Sequence, residues 1–203
     1  AAVIALVSIG NGVKQDIQNS ISSLGSNLLM VMPGAPRTPG VRPSAGSMKS
    51  LKVSDYEAIS KLDGVKAASP MTNGSYVVIY QNKNWTTSVS GVSYNYLDVN
   101  NWSMKSGRFL SEKNVQNRER VAVVGKTVVK NLFGDENPVG AEIRVKNIPF
   151  RIIGVLNSKG SGAMGNDQDD MVIIPYTTAM ERVEGIDYLR MIYVVGKDEN
   201  GID

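Results

Sequence analysis

Apolar and polar positions change their rhythm several times along this chain, and each change marks an element. Ala1 to Val7 is wholly apolar, AAVIALV. After Gly10-Asn11-Gly12, the residues Val13, Ile17, Ile21 and Leu24 recur at helical spacing on an otherwise polar stretch, which sets one apolar stripe on a helix. An apolar lead followed by an amphipathic helix is the order expected of a chain leaving a bilayer and continuing into water against a partner helix. The lead falls short of the roughly 20 residues needed to cross a membrane, so it is read as the end of a span and the stripe as a stalk surface. A competing reading, an ordinary helix on a globular core, explains the stripe but not the lead. It predicts that residues 1–9 pack into that core.

Asn27 to Met32 is a strand-like apolar run stopped by Pro33-Gly34, and residues 33–50 form a loop rich in Pro, Gly and Ser. Ser54-Asp55-Tyr56-Glu57 fits a capping box, with Ala58, Ile59 and Leu62 on the buried face of the helix it opens and Asp63-Gly64 ending it. Val65 to Pro70 reads as a short strand. Tyr76–Tyr80 and Trp85–Val89 flank Gln81-Asn82-Lys83-Asn84 as the arms of a hairpin. Strands are expected at Val121–Val124, Glu142–Lys146, Phe150–Leu156, Val172–Ile174 and Leu189–Val195, with a corner at Asn147-Ile148-Pro149. Helices are expected over Thr127–Phe133, closed by Gly134, and Thr177–Val183, closed by Gly185, with a Gly- and Asp-rich loop from Lys159 to Asp170. Mixed strands and short helices without a repeated βαβ glycine fingerprint define an α+β fold. Residues 51–89 and the C-terminal strands read as one unit, and the β-rich stretch between them as an inserted subdomain.

Composition narrows the chemistry. The 203 residues are 42% apolar and 20% charged, ordinary for a folded domain. Twenty-two basic and nineteen acidic residues give +3, without a dense basic block, which argues against nucleic acid. The chain has no cysteine and no histidine. That excludes disulfides, thiolate metal sites, the Ser-His-Asp arrangement and the commonest metal ligand.

Each remaining chemical candidate has a plainer alternative. Gly125-Lys126-Thr127 follows a strand and opens a helix, but a phosphate loop needs a glycine where Arg120 stands, so a nucleotide site is rejected. Asp167, Asp169 and Asp170 offer three carboxylates to a hard cation such as calcium, yet lack the spacing of an EF-hand. They read as a solvated surface loop whose aspartates cap turns, and as a candidate partner-contact loop. Among Glu57, Asp98, Glu112 and Asp135 nothing singles out a catalytic pair. The aromatics Tyr76, Tyr80 and Trp85 read as cross-strand packing rather than a ligand platform. The chain is therefore expected to be no enzyme and to hold no cofactor or metal.

Several short motifs in order carry a family resemblance. Leu24-Gly25-Ser26-Asn27-Leu28-Leu29 precedes Val31-Met32-Pro33-Gly34; Gly64-Val65 leads to Ser69-Pro70 and Gly91-Val92. Ser106-Gly107-Arg108-Phe109, Val121 to Gly125, Leu132-Phe133-Gly134, Pro138-Val139-Gly140 and Phe150 to Val155 follow, and Ile174-Pro175 with Thr177-Thr178-Ala179 completes the set. Together they resemble the extracytoplasmic domain of MacB-type ABC transporter permeases.

The resemblance implies a porter-like α/β-sandwich unit with an inserted, β-rich, sabre-like subdomain, joined to the membrane by a stalk helix. Mapped onto this sequence, residues 1–25 are the end of the first span plus the stalk. Residues 26–94 and 171–203 are the porter-like unit, and 95–170 the insertion. It further implies a homodimer of permease subunits, a separate cytoplasmic ATPase domain, a periplasmic adaptor in some members, and a peptide or small-molecule cargo. The setting is the outer face of the bacterial cytoplasmic membrane, and the work is transmission of ATP-driven motion that helps expel antibiotics, peptides or toxins. The alternatives are a related permease serving lipoprotein release or cell-division signalling, a secreted metal-dependent or carbohydrate-active enzyme, and an extracellular binding protein.

Overall fold

The computed structural model describes residues 28–34, 49–162 and 165–197. The stripe Val13, Ile17, Ile21 and Leu24 lies outside the described residues. Among the described residues, nine strands carry the fold: β1 (Leu28–Val31), β2 (Val65–Tyr80), β3 (Lys83–Val92), β4 (Met104–Gly107), β5 (Val121–Val124), β6 (Glu142–Val145), β7 (Ile148–Leu156), β8 (Met171–Pro175) and β9 (Met191–Gly196). Between them run α1 (Val53–Ile59), α2 (Tyr96–Asn100), α3 (Glu112–Gln116), α4 (Lys126–Leu132) and α5 (Tyr176–Thr178), the last continuing as a π-helical turn over Ala179–Glu184. The fold is α+β.

The strand order β1-β9-β2-β3-β8-β5-β7-β4 hides a closure. β6 pairs with β7 and also with β2, through Val78↔Val145 and Ile79↔Arg144. The circuit β2–β3–β8–β5–β7–β6 therefore returns to β2 as a six-stranded barrel. Period-two alternation then sends one side chain in and the next out. Val78, Val89, Ala122, Val124, Ile143, Val145, Phe150, Ile152, Val172 and Ile174 form the interior, joined by Leu132 and Phe133 at the end of α4. On the outside of β5, β7 and β8, Val121, Val123, Ile153, Leu156 and Ile173 meet Tyr96 of α2 and Leu110.

β2 is the longest strand, 16 residues, and it serves two assemblies. Its first half pairs with β9, which pairs with β1; its second half is barrel wall. A separate core of Leu51, Ala68, Tyr176, Met180, Leu189, Ile192 and Val194 lies with the open part of the sheet. Tyr176 meets Tyr56 edge to face at 6.0 Å, and burial pushes its hydroxyl up to about 12. Residues 95–170 supply β4 to β7, and the flanking chain supplies the other strands.

Local chemistry explains where the elements differ from the sequence reading. In α1 the cap is Lys52, whose backbone N–H donates to Asp55 Oδ2 at 2.7 Å, while Ser54 lies inside the first turn. Leu189 N–H donates to the Leu51 carbonyl at 2.7 Å, which anchors the chain just before that point. The inward face is consequently Val53, Tyr56 and Ile59, each half-buried; Ala58 is exposed and Leu62 is 59% exposed. The first hairpin turns on Gln81-Asn82 alone, with Lys83 already opposite Tyr80. The second turns on Lys146-Asn147, both at positive φ (51° and 66°), the geometry of a tight hairpin turn that asparagine tolerates. Ile148 and Pro149, expected at the corner, are strand residues opposite Val145 and Arg144.

An ion pair ties α1 to the loop before β9. Lys52 Nζ donates to Asp187 Oδ2 at 2.7 Å. That hydrogen bond, then the lysine charge, holds the Asp187 carboxyl below its ordinary 3.8. A depressed carboxylate contributes its stability above the unfolded pKa and loses it as pH falls through the folded value. Carbon-detected NMR titration is expected to place the Asp187 midpoint below 3.8, and Lys52→Met is expected to return it towards that value. An unchanged midpoint in the variant removes the pair as the cause.

Candidate functional site

The acidic loop meets the start of α4. Gly125 caps this helix, and its N–H donates to the Met171 carbonyl at 2.9 Å. Thr127 N–H donates to the Asp169 carbonyl at 3.2 Å, and Thr127 Oγ1 to Asp167 Oδ2 at 2.6 Å. A Cβ on Gly125 would lie 2.2 Å from the Asp169 oxygen, so only glycine allows the loop this close. The place a phosphate would need at this helix start is filled by the chain's own backbone and by the Asp167 carboxylate.

The three aspartates diverge. Asp169 is 4% exposed, buried where the sequence reading expected a solvated residue. Its carboxylate accepts from the Ser158 hydroxyl, from Lys159 N–H at 2.7 Å and from Gly160 N–H at 3.2 Å. Asp170 Oδ1 accepts from the Trp85 indole at 2.8 Å. Asp167 is exposed, and besides Thr127 it accepts from Asp169 N–H at 2.8 Å. Each carboxylate is committed to a different set of donors. Among the described residues, no group of three acidic side chains is disposed to hold a metal ion. Lys159 bolts the loop to α2: its Nζ donates to the Asn100 carbonyl at 2.7 Å and sits 4.5 Å from the centre of the Trp102 ring. Burial lowers the pKa of this lysine.

A second feature went unassembled in the sequence. Two adjoining cavities, of about 720 and 830 Å³, share Arg118 and Arg120. Arg182 and Glu181 line one; Arg108, Arg151 and Glu119 line the other. Arg118 stands at positive φ (51°) just after α3. That stretch is tied to α5 by Thr177 Oγ1 donating to the Val115 carbonyl (2.6 Å) and Thr178 Oγ1 to the Glu119 carbonyl (3.0 Å). Parallel pairing of β5 with β7 brings Arg120 beside Arg151, whose N–H donates to the Arg120 carbonyl at 2.9 Å. The basic residues are scattered along the chain, and the β5–β7 pairing together with the threonine bonds from α5 collects them.

The described residues thus combine a closed six-stranded barrel with an open sheet that shares its longest strand. The chain belongs to the family described as the MacB-like periplasmic core domain, which it matches over residues 1–203. It is 42% identical over 205 residues to the macrolide export ATP-binding/permease protein MacB of Rhodospirillum rubrum, covering all of this chain and 31% of that protein. It is 39% identical over 204 residues to the protein of the same name from Chlorobium luteolum, again covering 31% of it. This chain thus spans about a third of the relatives it matches. Among solved structures, the periplasmic region of MacB from Actinobacillus actinomycetemcomitans superposes with a TM-score of 0.72 at 27% identity, covering 88% of this chain and 78% of that one. The extracellular domain of the noncanonic ABC-type transporter YknZ from Gram-positive bacteria shares the fold, with a TM-score of 0.69 at 18% identity over 85% of this chain and 84% of that one.

Proposed function

We propose that this chain is the extracytoplasmic module of an export permease, working without chemistry of its own. The observation that carries the reading is the end-to-end match to the periplasmic core domain family, with relatives named for macrolide export. In this reading ATP is hydrolysed on a cytoplasmic domain and the motion reaches the module through the stalk at residues 1–25. The module then acts as a dimer on the outer side of the bacterial cytoplasmic membrane, moving a macrolide or peptide cargo, with a periplasmic adaptor where one exists. In this reading residues 26–94 with 171–203 are the porter-like unit and 95–170 the inserted, sabre-like subdomain, whose strands β5 to β7 share the barrel with β2, β3 and β8. In the loop at 158–170, Asp167 faces a partner while Asp169 holds the loop in shape, as its burial supports. Among the described residues, no helix is long and apolar enough to cross a membrane.

The stalk assignment has a direct test. Ile17→Asp or Ile21→Asp in the intact transporter is expected to abolish macrolide resistance in a susceptible host, while the isolated 203-residue chain keeps its thermal unfolding midpoint. Loss of folding in the isolated chain would make these core residues and sink the assignment.

A further inference from the structure

We propose that the arginine groove beside β5, β7 and the π-helical turn binds an extended acidic peptide segment through its carboxylates. The groove already shows the chemistry it favours. Glu181 places one carboxylate between Arg118 (2.7 Å) and Arg182 (3.3 Å). Guanidinium forks match carboxylates in this way, often through paired N–H donors. Arg108, Arg120 and Arg151 present the same groups along the adjoining cavity, are exposed, and form no ion pair among the described residues. The other acid in the groove, Glu119, is turned to a different task, accepting from Asn114 Nδ2 at 2.7 Å.

Shape decides what kind of anion fits. The cations are distributed over two cavities joined at Arg118 and Arg120, whereas a single phosphate is best served by donors converging on one point. Val139 lines one cavity and Ile148-Pro149 the other, apolar surface suited to side chains alternating with acids along an extended backbone. A bilayer is flat and would meet only the rim of this concave surface. Binding to the isolated chain needs neither ATPase nor membrane, so it stands or falls apart from the export role.

The test titrates the 203-residue chain calorimetrically with a short synthetic peptide alternating Asp and Val, at low and at physiological salt. The expected result is binding at low salt that weakens as salt rises. Arg120→Gln and Arg151→Gln are each expected to weaken it by about threefold and together by about tenfold. Arg151→Lys, which keeps the charge, is expected to lose less than Arg151→Gln. Glu181→Gln is expected to tighten binding by about threefold, because it frees Arg118 and Arg182; general damage to the fold would not strengthen a complex. Inorganic phosphate and phosphatidylglycerol vesicles are the comparison arms. Failure of the peptide to bind at low salt overturns the proposal. So does an unchanged affinity in the double variant, a weaker complex with Glu181→Gln, or arginine-dependent binding of phosphate or vesicles equal to that of the peptide.

Discussion

Phe150→Ala is expected to lower the free energy of unfolding by about 3–5 kcal/mol. Phe150 is fully buried inside the barrel, with Ile143, Val145 and Ile152 in the same interior cluster. Two terms add. The ring's transfer out of water is lost, and a cavity remains because the wall around it cannot collapse. That wall is stiffer than an ordinary sheet, since each of its six strands is hydrogen-bonded on both sides, β6 to both β7 and β2. The control is Ile79→Ala on β2, a residue 36% exposed on the outside of the same ring. It is expected to cost less than about 1 kcal/mol. Urea unfolding of the two variants, with equal slopes, makes the comparison. Equal losses at the two positions would mean that the interior and exterior of the barrel are wrongly assigned.

Asp169→Ala is expected to cost about 2–4 kcal/mol. The carboxylate receives three hydrogen bonds from consecutive residues, Ser158, Lys159 and Gly160. It is almost fully buried, so the backbone donors it leaves behind are not readily satisfied by water. The damage is expected to be local as well as global: the 158–170 segment should become a preferred site of limited proteolysis before the domain unfolds. Asp169→Asn keeps one acceptor oxygen and is expected to fall between the alanine variant and the parent. Asp167→Ala loses hydrogen bonds from Thr127 Oγ1 and from Asp169 N–H, but its side chain is exposed, so water can replace it and the expected cost is about 1 kcal/mol. A ranking in which Asp167 outweighs Asp169 would contradict the geometry of the loop.

Much of the strand content was legible because its signals are local. Val121–Val124, Val172–Ile174 and the alternation Glu142-Ile143-Arg144-Val145 lie within β5, β8 and β6, and Gly185 closes the π-helical turn at positive φ (66°). What local pattern cannot carry is closure. The joint of β2 with β6 rests on Val78↔Val145 and Ile79↔Arg144, residues far apart in sequence whose own neighbourhoods say only "strand". The short helices α2 and α3 were missed for a related reason. Each is five residues long, below the length at which helical periodicity shows. They are held instead by Asn101 in a left-handed conformation and by the reciprocal bonds of Ser111 with Asn114. Leu62 failed in the other direction: an apolar residue at a helical interval was expected inside, but α1 ends at Ile59.

The candidate site divides along the same line. Asp167, Asp169 and Asp170 stand out in the sequence as a cluster, yet their separate duties depend on Thr127 of α4, Trp85 of β3 and Ser158 at the far end of the same loop. Arginines 108, 118, 120, 151 and 182 never form a cluster in the sequence. Arg118-Glu119-Arg120 was the one visible hint, and it becomes a groove only when β5 lies parallel to β7.

The double membership of β2 has a mechanical consequence. At about 3.3 Å per residue, a strand of this length reaches roughly 50 Å, and it runs without a break from the β9 side of the open sheet to the closed ring. Near its middle the one residue without a side chain, Gly74, lies under the ring of Tyr76, whose nearest atom is 2.7 Å from where a Cβ would stand. β2 is thus a beam clamped at both ends and braced at its thinnest point. A push on one end meets no hinge loop along β2 before it reaches the ring.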